Sequence, residues 1–160
     1  MWKIATLLLL LAFAGCAASP EAEQRSRQAE EDVAAILSQP LDAEEYGETR
    51  RCLMSAQYHN IRILDDQRVV FEGTGNKLWL NQLRGRCPDL RAGQALRFRS
   101  RIDLGRICDL DHFEVVDWFD WPWYRHWPWD RWSGMSCTLG PFQPVTEAQV
   151  DAIRDALKAR

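Results

Sequence analysis

The chain has 160 residues and a formal net charge of −3 at pH 7. This length suits one domain with a core of its own rather than two. The weak negative charge argues against a nucleic-acid partner held by a general positive field. Eight tryptophans are the compositional anomaly, because six of them fall between residues 118 and 132.

Residues 1–15 have the composition of a secretory signal peptide. One base, Lys3, precedes the apolar run at 4–14, and small residues follow it. The run is too short to span a bilayer stably, which indicates a cleaved leader rather than a transmembrane anchor.

Residues 14–16, Ala-Gly-Cys, resemble the bacterial lipobox, whose cysteine is lipidated and becomes the mature N-terminus. This resemblance implies attachment to a membrane through lipidated Cys16, and Ala17 after it favours the outer membrane, with the protein facing the periplasm. Acyl chains on one residue supply enough apolar surface for stable anchoring. Ordinary cleavage within 14–18, which would leave a soluble periplasmic protein, is the alternative.

A helical lead-in and a linker are predicted for residues 16–49. Val33 and Ile36 belong to a thin apolar stripe at helical spacing, which predicts a helix within 21–38 that Pro40 stops. Because the stripe is thin, we expect a solvated spacer, with firm docking on the core as the alternative. The acidic stretch 41–49 is predicted to be a linker.

From residue 50 onward the pattern changes to short strands of a single domain that extends to residue 160. Apolar runs at 61–63, 69–71 and 78–80, with turn residues between them, predict a three-strand meander. Clean alternation predicts a strand at 96–102, and a further strand is predicted at 113–116. Pro88 places an irregular loop after Cys87.

The C-terminal residues predict a capped helix. Thr146 and Gln149 fit a capping box, and Val145 with Val150 fits a hydrophobic staple. The inward stripe consists of Val150, Ile153 and Leu157. The predicted fold is therefore α+β and mainly β: a small antiparallel sheet or partly closed barrel of about five strands, with a C-terminal helix and an N-terminal helical lead-in.

The five cysteines become an even set of four once Cys16 is set aside for lipid. An even number in an exported protein predicts disulfides among Cys52, Cys87, Cys108 and Cys137. Three pairings are possible, and the sequence does not choose among them. We favour Cys52 with Cys87 and Cys108 with Cys137, since the second bond would close the base of the tryptophan-rich segment.

Several short motifs in fixed order resemble a family of small exported proteobacterial proteins classed only as a domain of unknown function. The motifs are Arg51-Cys52, Val69-Val70-Phe71, Leu80-Asn81-Gln82-Leu83, Cys87-Pro88-Asp89-Leu90, Cys108-Asp109-Leu110-Asp111 and Cys137-Thr138-Leu139-Gly140-Pro141-Phe142-Gln143-Pro144-Val145. The resemblance covers about residues 50–147. It implies an exported, cysteine-containing domain and brings no activity with it.

The tryptophan-rich segment at 117–133 is the main candidate binding surface. An extended chain would place six side chains on one face, where tryptophan and arginine can stack. These residues are Trp121, Trp123, Arg125, Trp127, Trp129 and Arg131. Three interpretations stay open: a cluster packed over the sheet, a binding face for glycan, peptidoglycan or a protein, and insertion at the membrane interface.

Two further groups carry charge but predict little chemistry. Arg97, Arg99 and Arg101 form a basic stripe, which is either a solvated strand face or a site for an anionic envelope ligand. Asp109 and His112, with Asp111 between them, offer donor atoms but lack the glycine and distant glutamate of a calcium loop, so we expect no metal site.

No stretch of the sequence carries a catalytic signature or a cofactor motif, and no catalytic residue or cofactor is assigned. The sequence favours a non-catalytic envelope lipoprotein with a binding or scaffolding role in the periplasm. Its predicted partners are the membrane and an envelope glycan or protein. A small periplasmic hydrolase acting on cell-wall glycan or peptide is the alternative, because catalytic groups can assemble from distant residues.

Overall fold

A computed structural model describes residues 19–99, 105–116 and 136–160. The described chain is α+β, as predicted. Its helices are α1 (Pro20–Leu37), α2 (Ala43–Tyr46) and α3 (Glu147–Lys158), with 3₁₀ turns at Ser55–Gln57 and Thr74–Asn76. The predicted leader and the lipidation site Cys16 lie outside the described residues.

Nine strands are described, where the sequence predicted about five. They are β1 (Cys52–Met54), β2 (Tyr58–Ile63), β3 (Arg68–Gly73), β4 (Leu78–Gln82), β5 (Ala95–Arg99), β6 (Arg106–Cys108), β7 (His112–Val116), β8 (Ser136–Thr138) and β9 (Phe142–Val145). The predicted meander is β2, β3 and β4, and the predicted strand at 113–116 is β7. The strand predicted at 96–102 is observed as β5 up to residue 99, and the rest of it lies outside the described residues.

The strands form three antiparallel sheets. The largest has the order β2-β3-β4-β9, a second has the order β5-β7-β8, and β1 pairs with β6 as a two-stranded ribbon. Strand β9 lies at an edge, which accommodates Pro144 because proline has no N–H to donate. The described strands do not close into a barrel, so the sheet alternative of the prediction holds.

The four-stranded sheet is buried on both faces. In β3, Val69 and Phe71 belong to one hydrophobic cluster and Val70 belongs to another. The same alternation divides Trp79 from Leu80 in β4. Because successive side chains of a strand point to opposite faces, the sheet is the middle layer of three.

One face of this sheet packs against the other strands. Phe71 stacks edge-on with Phe142 at 5.3 Å between ring centres and contacts Phe98 of β5 at 6.0 Å. Phe113 of β7 and Leu53 of β1 are fully buried in the same cluster. This side of the sheet is therefore an aromatic core shared by all three sheets.

The other face packs against two helices. Val33 of α1 and Val150 and Ile153 of α3 are at most 2% exposed and contact Leu80 and its neighbours. The capping box predicted for α3 is confirmed, since Thr146 and Gln149 exchange side-chain to backbone hydrogen bonds of 3.0 and 3.1 Å.

The prediction that the lead-in is a solvated spacer is wrong for α1. Ala29 and Val33 are 2% exposed, and the Gln149 side chain donates to the Ile36 carbonyl at 3.2 Å. Ser19 caps the helix through Ala22, and Pro20 occupies its first turn, where a missing N–H costs nothing. The helix is thus docked across the boundary predicted at residue 50.

The disulfide pairing favoured from the sequence is also wrong. Cys52 is joined to Cys108, and Cys87 is joined to Cys137, with Cα atoms 4.0 and 5.8 Å apart. Cys52 and Cys108 face each other directly on the β1–β6 ribbon. That pairing depends on a strand register between residues 56 positions apart, which no local pattern specifies.

Candidate functional site

The tryptophan-rich segment lies outside the described residues, and so do Arg125 and Arg131, but both strands that flank it are described. Strand β7 ends at Val116 and β8 begins at Ser136, and the two strands pair side by side, with Phe113 opposite Cys137. The Cys87–Cys137 bond fixes β8 to the core. Strand pairing, rather than the predicted Cys108–Cys137 bond, therefore holds the two flanking strands side by side.

A pocket of about 410 Å³ lies beside β2, β3 and the start of α3. Its lining consists of His59, Glu72, Gly73, Asn76, Leu78 and Glu147. Gly73 is required at this place, because a Cβ atom would collide with the Trp79 ring and the Gln57 carbonyl oxygen. A histidine, His59, and two carboxylates, those of Glu72 and Glu147, thus line one cavity.

An irregularity in the β2–β3 pairing places His59 at this pocket. Tyr58 pairs with Gly73 and Asn60 with Glu72, so His59 is an extra residue in β2 with no partner in β3. Such a bulge redirects the side chain relative to the regular strand. The imidazole is consequently exposed at the mouth of the pocket rather than held in the ladder.

Arg62 forms ion pairs with both glutamates of this pocket. Its Nη1 and Nη2 atoms each donate to one oxygen of Glu147 at 2.7 Å, and its Nε atom contacts Glu72. The second Glu72 oxygen accepts from Asn60 at 2.6 Å. The bidentate geometry to Glu147 is the strong form of this ion pair.

Hydrogen bonds from Arg62 lower the pKa of Glu147, and the positive charges of Arg62 and Arg154 add to the effect. Glu147 is therefore a carboxylate at neutral pH, able to accept hydrogen bonds but not to donate a proton. Glu72 is held by the same guanidinium. The paired carboxylates are suited to binding a donor-rich or cationic group, and Glu147 is poorly suited to act as a general acid.

The predicted basic stripe is largely paired within the protein. Glu114 of β7 binds Arg99 at 2.8 Å and lies 3.9 Å from Arg97. Arg84 makes a bidentate contact with Asp109 at 2.8 and 2.9 Å. Arg101 lies outside the described residues. These contacts favour the solvated strand face over a site for an anionic ligand.

The donor atoms near residue 110 serve the local fold. Asp109 binds Arg84, and the Asp111 carboxylate accepts the Cys108 N–H at 2.8 Å. His112 is a partly buried residue of β7, opposite Arg99 and Thr138. Within residues 19–99, 105–116 and 136–160, no group of three or more His, Cys, Asp or Glu side chains is arranged to hold a metal ion.

Sequence reasoning missed a buried polar cluster that joins α1 to the C-terminus. Arg68 is 1% exposed, and it binds Asp65 at 2.7 Å and Glu30 of α1 through its other terminal nitrogen. Arg160 binds the same Asp65 at 2.6 Å and lies 3.5 Å from Glu30. A charged residue directly before the apolar run at 69–71 was the available signal, but its partners are distant in sequence.

These features define a disulfide-linked, three-layer α+β protein. Comparison with known families assigns the chain to a family of unknown function (DUF6491), which it matches over residues 1–160, and the chain belongs to that family. The predicted membership of a domain family of unknown function is thus confirmed, over a longer stretch than the residues 50–147 recognised from motifs. No curated protein and no solved structure matches the chain.

No helix within residues 19–99, 105–116 and 136–160 combines the length and the apolarity that crossing a bilayer requires.

Proposed function

We propose that the protein is a non-catalytic lipoprotein of the bacterial envelope, anchored in the outer membrane through lipidated Cys16 and facing the periplasm, where it binds or scaffolds an envelope component. The observation that carries this proposal is the pair of disulfides, Cys52–Cys108 and Cys87–Cys137. Disulfides persist in oxidising compartments such as the periplasm and are rare in the cytosol. The two disulfides therefore agree with the secretory leader predicted at residues 1–15.

The docking of α1 limits the distance at which a lipid anchor on Cys16 would hold the domain from the membrane. The helix cap Ser19 lies three positions after Cys16, so even a fully extended connection spans only about 10 Å. Because α1 is packed on the sheet, a lipid on Cys16 would hold the folded domain close to the membrane surface. This supports a protein that works at the membrane rather than one that reaches across the periplasm.

The proposed binding surface is the tryptophan-rich segment. Tryptophan offers a large rigid contact area and an N–H donor, which suits glycan, peptidoglycan or protein ligands. Strand pairing between β7 and β8 supports this role, because it joins the strand before the segment and the strand after it within one sheet. Packing over the sheet and insertion at the membrane interface are the competing outcomes.

The alternative of a periplasmic hydrolase receives less support. The pocket beside His59 gathers the groups that such an enzyme needs, but Arg62 holds both Glu72 and Glu147. Because Arg62 lowers the pKa of Glu147, that carboxyl group is not available in its protonated form to give a leaving group its proton. Release of cell-wall fragments from purified peptidoglycan by the full chain, abolished by His59→Ala, would favour the hydrolase.

The anchor is tested by labelling cells with a palmitate analogue. The wild-type chain should carry the label and fractionate with the outer membrane, whereas Cys16→Ala should lose both properties. A labelled Cys16→Ala chain, or an unlabelled soluble wild type, would contradict the lipoprotein assignment.

The binding surface is tested by pull-down on purified peptidoglycan and by crosslinking in cells. Changing Trp123 and Trp129 to Ala should weaken binding and leave the thermal midpoint within a few degrees of wild type. A large fall in the midpoint with binding unchanged would show that these side chains pack in the fold. If the two changes abolish binding of the chain to lipid vesicles and leave peptidoglycan binding unchanged, the segment inserts into the membrane interface instead.

A further inference from the structure

The two disulfides differ in how far solvent reaches them. Cys87 is fully buried and Cys137 is 4% exposed, and both belong to the aromatic core. Cys52 and Cys108 are partly exposed on the β1–β6 ribbon. A thiolate must approach a sulfur directly to exchange with it, so the ribbon bond is the accessible one of the two.

Backbone hydrogen bonds hold the ribbon on both sides of this bond. The Asp109 N–H donates to the Arg51 carbonyl at 2.6 Å, and the Ser55 N–H donates to the Gly105 carbonyl at 2.7 Å. Cys52 and Cys108 lie between these bonded positions as a directly opposed pair. Backbone hydrogen bonds therefore pair the two strands in addition to the covalent link.

The ribbon is also held by side chains on its other face. Leu53 is fully buried and Ile107 is 5% exposed, and both belong to the aromatic core. Asp111 holds the end of β6 by accepting the Cys108 N–H at 2.8 Å. Breaking the bond would thus leave two thiols on strands whose Cα atoms stay close to the present 4.0 Å, ready to join again.

We propose that the Cys52–Cys108 disulfide is a reversible thiol-exchange site that takes electrons from a dithiol, while Cys87–Cys137 is a permanent structural link. A thiolate of the dithiol attacks one ribbon sulfur, forms a mixed disulfide and releases the other cysteine as a thiolate, which takes up a proton. The second thiol of the dithiol then attacks the mixed disulfide. The products are two cysteine thiols and an oxidised dithiol, with two electrons and two protons transferred to the protein.

The partner that this site fits is a dithiol protein of the compartment, because only a second thiol on the same molecule resolves the mixed disulfide quickly. Dithiothreitol has the same chemistry and serves as the probe. The inference concerns the folded domain alone and stands whether or not Cys16 carries lipid.

The test is differential alkylation of the full chain under native conditions. The chain is treated with dithiothreitol, sampled over time with iodoacetamide, then fully reduced in denaturant and labelled with a second reagent before peptide mapping. Iodoacetamide should reach Cys52 and Cys108 at least about tenfold faster than Cys87 and Cys137, because the buried pair needs an opening of the core. The tryptophan bands of the near-ultraviolet circular dichroism spectrum should be unchanged while the first pair reacts.

Three outcomes would overturn the proposal: equal labelling of all four cysteines, earlier labelling of Cys87 and Cys137, or loss of the near-ultraviolet signal as the ribbon pair reacts. A second measurement uses the double variant Cys52→Ser with Cys108→Ser. It should fold, and its remaining disulfide should resist dithiothreitol as in wild type. A variant that is unfolded, or whose remaining bond reduces at the rate of the wild-type ribbon bond, contradicts the independence of the ribbon.

Discussion

The two faces of the four-stranded sheet are buried by different means. One face meets other strands through aromatic rings, with Phe71 and Phe142 in edge contact, and the Cys87–Cys137 bond lies in the same cluster. The opposite face meets α1 and α3 through aliphatic side chains such as Val33 and is bordered by the buried Arg68 cluster.

This difference predicts which interactions each face depends on. Rings in edge contact have few alternative arrangements, so the aromatic face should be sensitive to shape. On the helical face, α1 contributes few buried side chains, and Arg68 joins Glu30 to Asp65 at its border. Polar contacts should therefore contribute more to the docking of α1 than to the packing of the aromatic face.

The largest effect is expected for Phe142→Ala. The ring is fully buried, and its removal leaves a cavity between two sheets, so the free energy of unfolding should fall by about 3–5 kcal/mol. Urea denaturation of the full chain measures this. The matched change on the helical face, Ile153→Ala, should cost about 2–4 kcal/mol, because a smaller side chain is lost. A larger loss of stability for Ile153→Ala than for Phe142→Ala would contradict the expectation that the aromatic face is the more sensitive of the two.

The next largest effect is expected for Arg68→Met. The change removes a buried cation and leaves Asp65, whose side chain is 8% exposed, with Arg160 as its remaining charged partner. Breaking a buried ion pair costs about 3–5 kcal/mol, and we expect about 2–3 kcal/mol here because that partner remains. The loss should be accompanied by faster proteolysis within α1.

The control for Arg68→Met is Arg154→Met. Arg154 pairs with Asp151 on the exposed side of α3, and exposed pairs contribute little, so this variant should stay within about 0.5 kcal/mol of wild type. Equal losses in the two variants would show that the Arg68 cluster does not secure α1.

The elements predicted correctly from the sequence are those whose buried side chains recur at a regular spacing within a few residues. The meander β2–β4 and the capped helix α3 carry their patterns within a few residues, and both were found where expected. Strands β1, β6 and β8 have three residues each, too few for an alternation to be recognised. They exist because distant partners pair with them.

Two predictions failed because they depended on distant partners. The stripe of α1 was judged too thin to dock, since the ion pair between Glu30 and Arg68 spans 38 residues and leaves no local signal. The cysteine pairing followed chain order, whereas the ribbon register joins Cys52 to Cys108. The His59 pocket was missed for the same reason, because its bulge is defined only by the pairing with β3.

A moderate effect is expected for Thr146→Ala. The side chain caps α3 by accepting the Gln149 N–H at 3.1 Å, and loss of such a cap costs about 1 kcal/mol. Denaturation should show this loss, and Thr146→Ser should recover most of it because the hydroxyl is kept. If serine and alanine behave alike, the methyl group rather than the hydrogen bond is responsible.

The smallest effect is expected at Glu147, and it depends on pH. Arg62 lowers the pKa of this carboxyl below its ordinary value of 4.5, so its ionised form is favoured in the folded state. The resulting stabilisation is complete above that value and is lost as pH falls through the lower, folded pKa. Because the side chain is 55% exposed, the contribution should be no more than about 0.5 kcal/mol.

Glu147→Gln should therefore lower stability at pH 7 slightly and flatten the fall in stability between about pH 5 and pH 3. The Arg62→Gln background is the control. There the same change should have a smaller effect, since only the attractions of Glu147 to Arg154 and to the N-terminus of α3 remain. An undiminished effect in that background would mean that Arg154 and the helix terminus, not Arg62, keep the carboxylate ionised. Glu147 would then stay ionised even when a ligand displaces Arg62, and it would still not serve as a general acid in the His59 pocket.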